Sequence, residues 1–140
     1  MRSFAALTLL IAATSAHGSE PATIKRNYIN EWEQQIGYAA VTQVGKTLHI
    51  SGIACAGENM KAAVTKCYAE LNDILKKYGA TPDRIVKENI YTTDIEALKK
   101  CIPDRKNFFG NANYPAATWV QVVRLYSADH LLEVEVTVEL

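Results

Sequence analysis

The strongest pattern in the chain is an alternation near its end. Leu132, Val134, Val136 and Val138 interleave with Glu133, Glu135, Thr137 and Glu139, so a strand over residues 131–139 has one apolar face and one face bearing carboxylates. The preceding run, residues 116–126, opens directly after a proline turn and also alternates. There Val120 and Val122 oppose Trp119, Gln121 and Val123. Farther upstream the period changes. Met60, Ala63, Val64, Cys67, Leu71, Ile74, Leu75 and Tyr78 recur at three- and four-residue steps, while Lys61, Lys66, Glu70, Asp73 and Lys77 fall elsewhere. That spacing predicts an amphipathic helix, which Gly79 should cap at its C-terminus.

Other signals fill in the order. Two short strands, residues 38–44 and 47–51, flank Gly45-Lys46, and glycine first in a two-residue loop predicts a type II′ hairpin. Gly52, Gly57 and the small residues between them read as a loop. Thr81-Pro82-Asp83 turns the chain into a strand over residues 84–93. Asp94 can cap a second helix beginning near Ile95, and Pro103 should kink or break it. Residues 19–30 show no clear period and read as a leader. The order is ββαβαββ, an α+β sheet with two helices on one face. The other face is mixed. Trp119 and Val123 are expected there and are too apolar for open solvent, which suggests a subunit interface.

Composition narrows the function classes. The chain has 140 residues, 49% hydrophobic and 21% charged, enough for one folded domain with a real core. Fifteen basic and 15 acidic residues cancel, without the basic excess that nucleic-acid binding usually leaves. No apolar run reaches the roughly 18 residues of a membrane span. At the N-terminus, Arg2 precedes an apolar stretch over residues 4–13 and then small polar residues, the pattern of a secretory signal peptide. Cleavage is expected after Gly18, with Ala16 as the alternative, leaving residues 19–140 as the domain in a periplasmic or secreted location. Cys55, Cys67 and Cys101 show no metal spacing. They are expected to be inert thiols, with a Cys67–Cys101 bridge between the two helices as the alternative. The three histidines are scattered, so no metal site is expected.

Seven ordered landmarks carry a family resemblance. They are Ile36-Gly37-Tyr38, Ile50-Ser51-Gly52, Val86 to Tyr91, Thr93-Asp94, Phe108-Phe109, Pro115-Ala116 and Glu133-Val134-Glu135. Together they resemble the Rid family, also called YjgF or endoribonuclease L-PSP-like proteins, over nearly all of the chain from Trp32 onward. The resemblance implies a chorismate-mutase-like fold and a homotrimer with clefts between neighbours. It also implies a small-molecule ligand and no cofactor. Deaminating members hydrolyse 2-imino acids, holding the substrate carboxylate with an arginine while a glutamate helps position water. Glu133 matches that glutamate, and Tyr38, Ser51 and Gly52 match cleft positions. Ala117 stands at the arginine position, followed by Thr118 and Trp119 on the same strand. Ile53 and Ile102 replace polar cleft residues of many deaminases.

Two functions follow from the resemblance. One is an exported deaminase-like hydrolase of a small imine or enamine, with Glu133 as the catalytic carboxylate and Tyr38, Ser51, Gly52, Ala117, Thr118 and Trp119 lining the substrate cleft. The alternative is a trimer that binds a small metabolite without chemistry. For Glu133 the alternation by itself equally describes a solvated face, and Trp119 equally describes an interface aromatic. Lys87 and Arg124 are the cations considered as replacements for the missing guanidinium.

Overall fold

Six strands hydrogen-bond in the order β1-β2-β3-β6-β4-β5 in the computed structural model, which describes residues 22–110 and 112–140. The signal-like residues 1–18 lie outside the described residues. The strands are β1 (Ile24–Asn27), β2 (Val41–Val44), β3 (Thr47–Ala56), β4 (Ile85–Thr92), β5 (Ala116–Gln121) and β6 (His130–Glu139). The helices are α1 (Glu31–Ile36), α2 (Met60–Lys77), α3 (Ile95–Lys100) and α4 (Ile102–Phe108). Only β4 and β5 pair in parallel; every other neighbouring pair is antiparallel.

Helix α2 forms as the three- and four-residue spacing predicts. Its buried face includes Met60, Ala63, Val64, Cys67, Leu71 and Leu75, and it adds Tyr68. Asn59 accepts from the Ala62 amide at the N-terminus. At the other end Gly79 takes φ 66°, with Gly79 N–H donating to Lys76 and Ala80 N–H to Leu75, a Schellman close. The sheet supplies the matching face. Leu132, Val134, Val136 and Val138 are all buried beneath the helices, each fully buried side chain of this kind contributing about 1.5–3 kcal/mol.

Several expectations need revision. The leader contains β1, and the six-residue α1 follows it, both too short for periodicity to register. The strand predicted to stop at Ser51 continues to Ala56 through a bulge, where Ser51 and Gly52 lie between the pairs Ile50↔Val136 and Ile53↔Val134. The extra residue restores the alternation, so Ile53 and Cys55 are buried. The second helix breaks as Pro103 predicts, into α3 and α4 joined at Cys101. Strand β5 ends at Gln121, five residues short of the predicted run.

Trp119 lies on the opposite face from the one expected. Parallel pairing sets Trp119 beside Ile90, which in turn pairs with Val134 and hence Ile53, all on the helix-covered face. It is partly buried against the core, and Val120 takes the open face instead. The register to β4 decides this, and alternation within β5 has no means to reveal it. Trp119 is thus a packing residue beneath α4, not part of an open-face interface.

The cysteine expectation is also overturned. Cys55 and Cys67 form a disulfide, and Cys101 is the free, buried thiol. Because β3 runs on past Gly52, Cys55 faces α2 directly at Cys67. With Cys55 read as loop, that partner was hidden.

Candidate functional site

The open face of the sheet carries the polar halves of the alternating strands. One row across it reads Ala54, Glu133, Tyr91 and Val120; the next holds Glu135, Asn89 and Thr118 opposite the Ser51-Gly52 bulge. Glu133 is half-buried here, and its carboxylate rests against Gly52. A Cβ built at Gly52 would run into that carboxylate, with Glu133 Cδ only 2.7 Å away. Glycine at this point is therefore a spatial requirement of the carboxylate, not of the backbone torsion. Burial pushes the Glu133 pKa up, Glu135 pushes it farther, and His130 pulls it partly back.

The surrounding groups are held in place. Glu135 accepts from Asn89 Nδ2 at 2.6 Å and from the Tyr91 hydroxyl at 3.4 Å. Burial raises the Tyr91 pKa and Glu135 adds to the effect, so this hydroxyl stays a donor. Ser51 Oγ donates to the Ala39 carbonyl at 2.8 Å and its amide donates to Ala40 at 2.9 Å. Those two bonds fasten the segment after α1 that carries Tyr38, so Ser51 acts as a fastener. Burial raises the Tyr38 pKa, followed by Glu33, Glu133 and Tyr126. Tyr38 therefore lies within electrostatic reach of Glu133.

The fold thus brings Tyr38, Ser51, Gly52 and Glu133 together. It does not bring Ala117, Thr118 and Trp119 to them within one chain. Strand β5 is two strands from β6, roughly 10 Å at ordinary strand spacing. Ala117 pairs with Glu88 on the helix-covered face, and Thr118 on the open face accepts from Lys87 Nζ at 2.9 Å. His49 also lies on the open face, paired with Thr42 and Thr137. Arg124 is exposed, its Nη2 donating to the Tyr126 carbonyl at 3.4 Å.

One cluster escaped the sequence reading. Glu88 is fully buried, and its Oε1 accepts from the Tyr68 hydroxyl at 2.8 Å. Arg105 Nε donates to Glu88 Oε2 at 2.7 Å, and Nη2 sits 2.6 Å from the same oxygen, a charge contact and not a second aligned hydrogen bond. The guanidinium lies over Phe109, Tyr114 and Trp119, with its carbon 4.8, 5.9 and 5.5 Å from the ring centroids. Burial and Glu88 push the Tyr68 pKa far up, fixing it as a neutral donor. Arg105 is therefore the cation against the helix-covered face of β5, and it is already paired to Glu88. A carboxylate at a core-facing strand position was the available hint, since such a group needs a partner.

Three depressions border this region, the smallest of them, ≈ 250 Å³, lined by His49, Ser51, Lys87, Asn89 and Glu135 among others. A cleft of ≈ 420 Å³ between α1, β3 and α2 is lined by Trp32, Tyr38, Gly52 and Ile74, among others. A shallower one of ≈ 340 Å³ is lined by Tyr91, Arg124, Tyr126, Glu133 and Glu135. Gly52 and Glu133 meet where these two approach each other. Among the described residues no group of three or more His, Cys, Asp or Glu is placed to hold a metal ion, and no helix is long and apolar enough to cross a membrane. A half-buried carboxylate with raised proton affinity, flanked by tyrosines, is suited to taking and returning a proton or to holding a water.

Comparison with known proteins adds the family. The model of the endoribonuclease L-PSP family matches residues 29–140. A YjgF/YER057c/UK114-family protein from Mycobacterium tuberculosis superposes with a TM-score of 0.76 at 23% identity, covering 84% of this chain and 100% of that one. A YjgF-family protein from Neisseria meningitidis gives 0.74 at 16% identity, covering 86% and 97%. The Rid-family protein YyfA of Yersinia pestis, described as of unknown function, gives 0.69 at 21%, covering 74% and 88%. No curated protein matches by sequence. With the fold and the matched span in agreement, the chain belongs to the endoribonuclease L-PSP family, the YjgF/Rid proteins.

Proposed function

We propose that this protein is a hydrolase of small imines or enamines, working as a homotrimer outside the cytoplasm. The observation that carries the reading is the Glu133 carboxylate, half-buried against Gly52 with its proton affinity raised. In the reaction, water adds to the imine carbon while its proton passes through Glu133 to the nitrogen. The carbinolamine then loses ammonia as its hydroxyl becomes the carbonyl, with Glu133 relaying that proton as well. Family membership supports the trimer, in which one copy's Glu133 cluster would face a neighbour's β5. The Cys55–Cys67 disulfide supports an oxidising compartment.

Ala117 shapes which imine is taken. The family's carboxylate-binding arginine is replaced there, and Arg105 nearby is committed to Glu88. Loss of a charge-assisted anchor disfavours 2-imino acids. The same observation favours the second reading, a trimer that binds a metabolite without turning it over. Ammonia release from a panel of imines, with and without a carboxylate, separates the two. The hydrolase reading expects release that Glu133→Gln abolishes with the assembly intact. Ligand-dependent thermal stabilisation with no ammonia from any imine would replace it with the binding reading. Robust wild-type hydrolysis of 2-iminopropanoate would overturn the role given to Ala117.

A further inference from the structure

We infer that Glu135 is a positioning residue of the Glu133 site, a fixed carboxylate that leaves Glu133 as the member of the pair that carries the proton; this rests on the hydrolase reading above, in which Glu133 is the relay. The two side chains stand on the same face of β6, two residues and roughly 7 Å of strand apart. Both are partly buried, and both line the depression they share with Tyr91. Their partners differ. Glu135 Oε1 accepts from Asn89 Nδ2 at 2.6 Å and from the Tyr91 hydroxyl at 3.4 Å. Asn89 stands opposite Glu135 in the β4–β6 register, so the backbone itself sets this contact. Such bonds hold a carboxylate in place as an acceptor. Tyr91 stands opposite Glu133, yet its hydroxyl reaches past that residue to Glu135. Glu133 lies against Gly52, with no hydrogen-bond donor on its carboxylate among the described residues.

The charges around the pair leave that division intact. His49 and Lys87 line the smallest depression with Glu135, but Lys87 Nζ donates to Thr118 on β5 at 2.9 Å. Arg124 and Tyr126 line the depression that holds both carboxylates, and Arg124 Nη2 donates to the Tyr126 carbonyl. Among the described residues none of these cations forms an ion pair with Glu133 or Glu135. His130 reaches the same face through a bulge. Ala54 and Ala56 pair with Glu133 and His130, two residues apart on β3 but three apart on β6. At Glu133 burial raises the proton affinity most, the Glu135 charge adds to it, and His130 opposes both. The nearby Tyr38 hydroxyl is itself pushed up and so adds no charge. Two carboxylates in such different surroundings divide the roles of proton carrier and fixed charge.

Glu135→Gln tests this, because the amide oxygen can still accept from Asn89 and Tyr91 while the charge is gone. Site-resolved carbon-13 NMR of the glutamate carboxyls, followed across pH on the full chain, reads Glu133 directly. Without the neighbouring charge, Glu133 should bind its proton at least about threefold less tightly. Glu135→Asp, which restores a charge, should bring the titration back toward the wild type. On the hydrolase reading, the acid limb of ammonia release moves to lower pH in Glu135→Gln, since Glu133 stays ionised farther into acid. A Glu133 titration unmoved in Glu135→Gln would overturn the inference, as would equal displacement in Glu135→Gln and Glu135→Asp, which marks a packing effect. Ammonia release from imines could survive either result. A displaced titration with no ammonia from any imine would uphold the pairing and remove the hydrolase reading.

Discussion

At the scale of single residues, Gly52 and Glu133 are one feature. The carboxylate occupies the space in which any side chain at position 52 would sit. Gly52→Ala should therefore destabilise the fold by about 1–3 kcal/mol, as overpacking does. Urea unfolding checks this, and shortening the obstruction in Gly52→Ala/Glu133→Ala should recover part of the loss. If the double variant is no more stable than the single, the contact is not the cause. The same carboxylate makes stability depend on pH. Its folded pKa is raised, so the folded state holds that proton more tightly than the unfolded chain does. The advantage is whole below the ordinary glutamate range of about 4.3 and is lost as pH rises through the folded value. Glu133→Gln should then gain in melting temperature relative to the wild type as pH is raised from acid toward neutrality. A difference that stays flat across that range would show that burial does not perturb this group. The sequence marked Glu133 and Gly52 separately, through alternation and a Ser-Gly pair, but their contact depends on a bulge.

Among elements, two tethers hold the helices to the sheet. The disulfide ties β3 to α2 across a sequence separation of 12. Closing a loop of that length is worth about 3 kcal/mol on the chain-entropy account. Reductant should lower the unfolding midpoint of the wild type and leave Cys55→Ala/Cys67→Ala unmoved; equal sensitivity in both would count against the bond. The second tether is the Tyr68, Glu88 and Arg105 cluster, which joins α2, β4 and α4. Arg105→Ala would strand a fully buried carboxylate and should cost about 3–5 kcal/mol in chemical denaturation. Glu88→Leu/Arg105→Leu, which removes both charges, should cost much less than Arg105→Ala. If the two cost the same, packing and not charge pairing is at work. Helix α2, the capping glycine and the break at Pro103 were legible beforehand because each is a local property of the chain. Both tethers were missed because each joins strand to helix across distances that no local period records.

For the molecule as a whole, the open sheet face and the β1 and β5 edges, which pair with no further strand among the described residues, are what one chain leaves unfinished. The Glu133 cluster and Ala117 lie on different strands and on opposite faces of one sheet. A site using both has to draw them from neighbouring copies, which is how the proposed trimer would complete it. Sedimentation equilibrium should return three times the chain mass; a stable single chain would remove the shared cleft. Local periodicity, the capping signals and the order of the landmarks were sufficient for the family, the α+β class and the apolar face of β6. They are properties of short windows, and short windows are what a sequence displays. Tertiary structure alone decided that Trp119 packs beneath α4, that Cys55 meets Cys67 and that Arg105 is spent on Glu88. Each of these turns on register between strands or contact between elements, where a shift of one residue reverses every side chain.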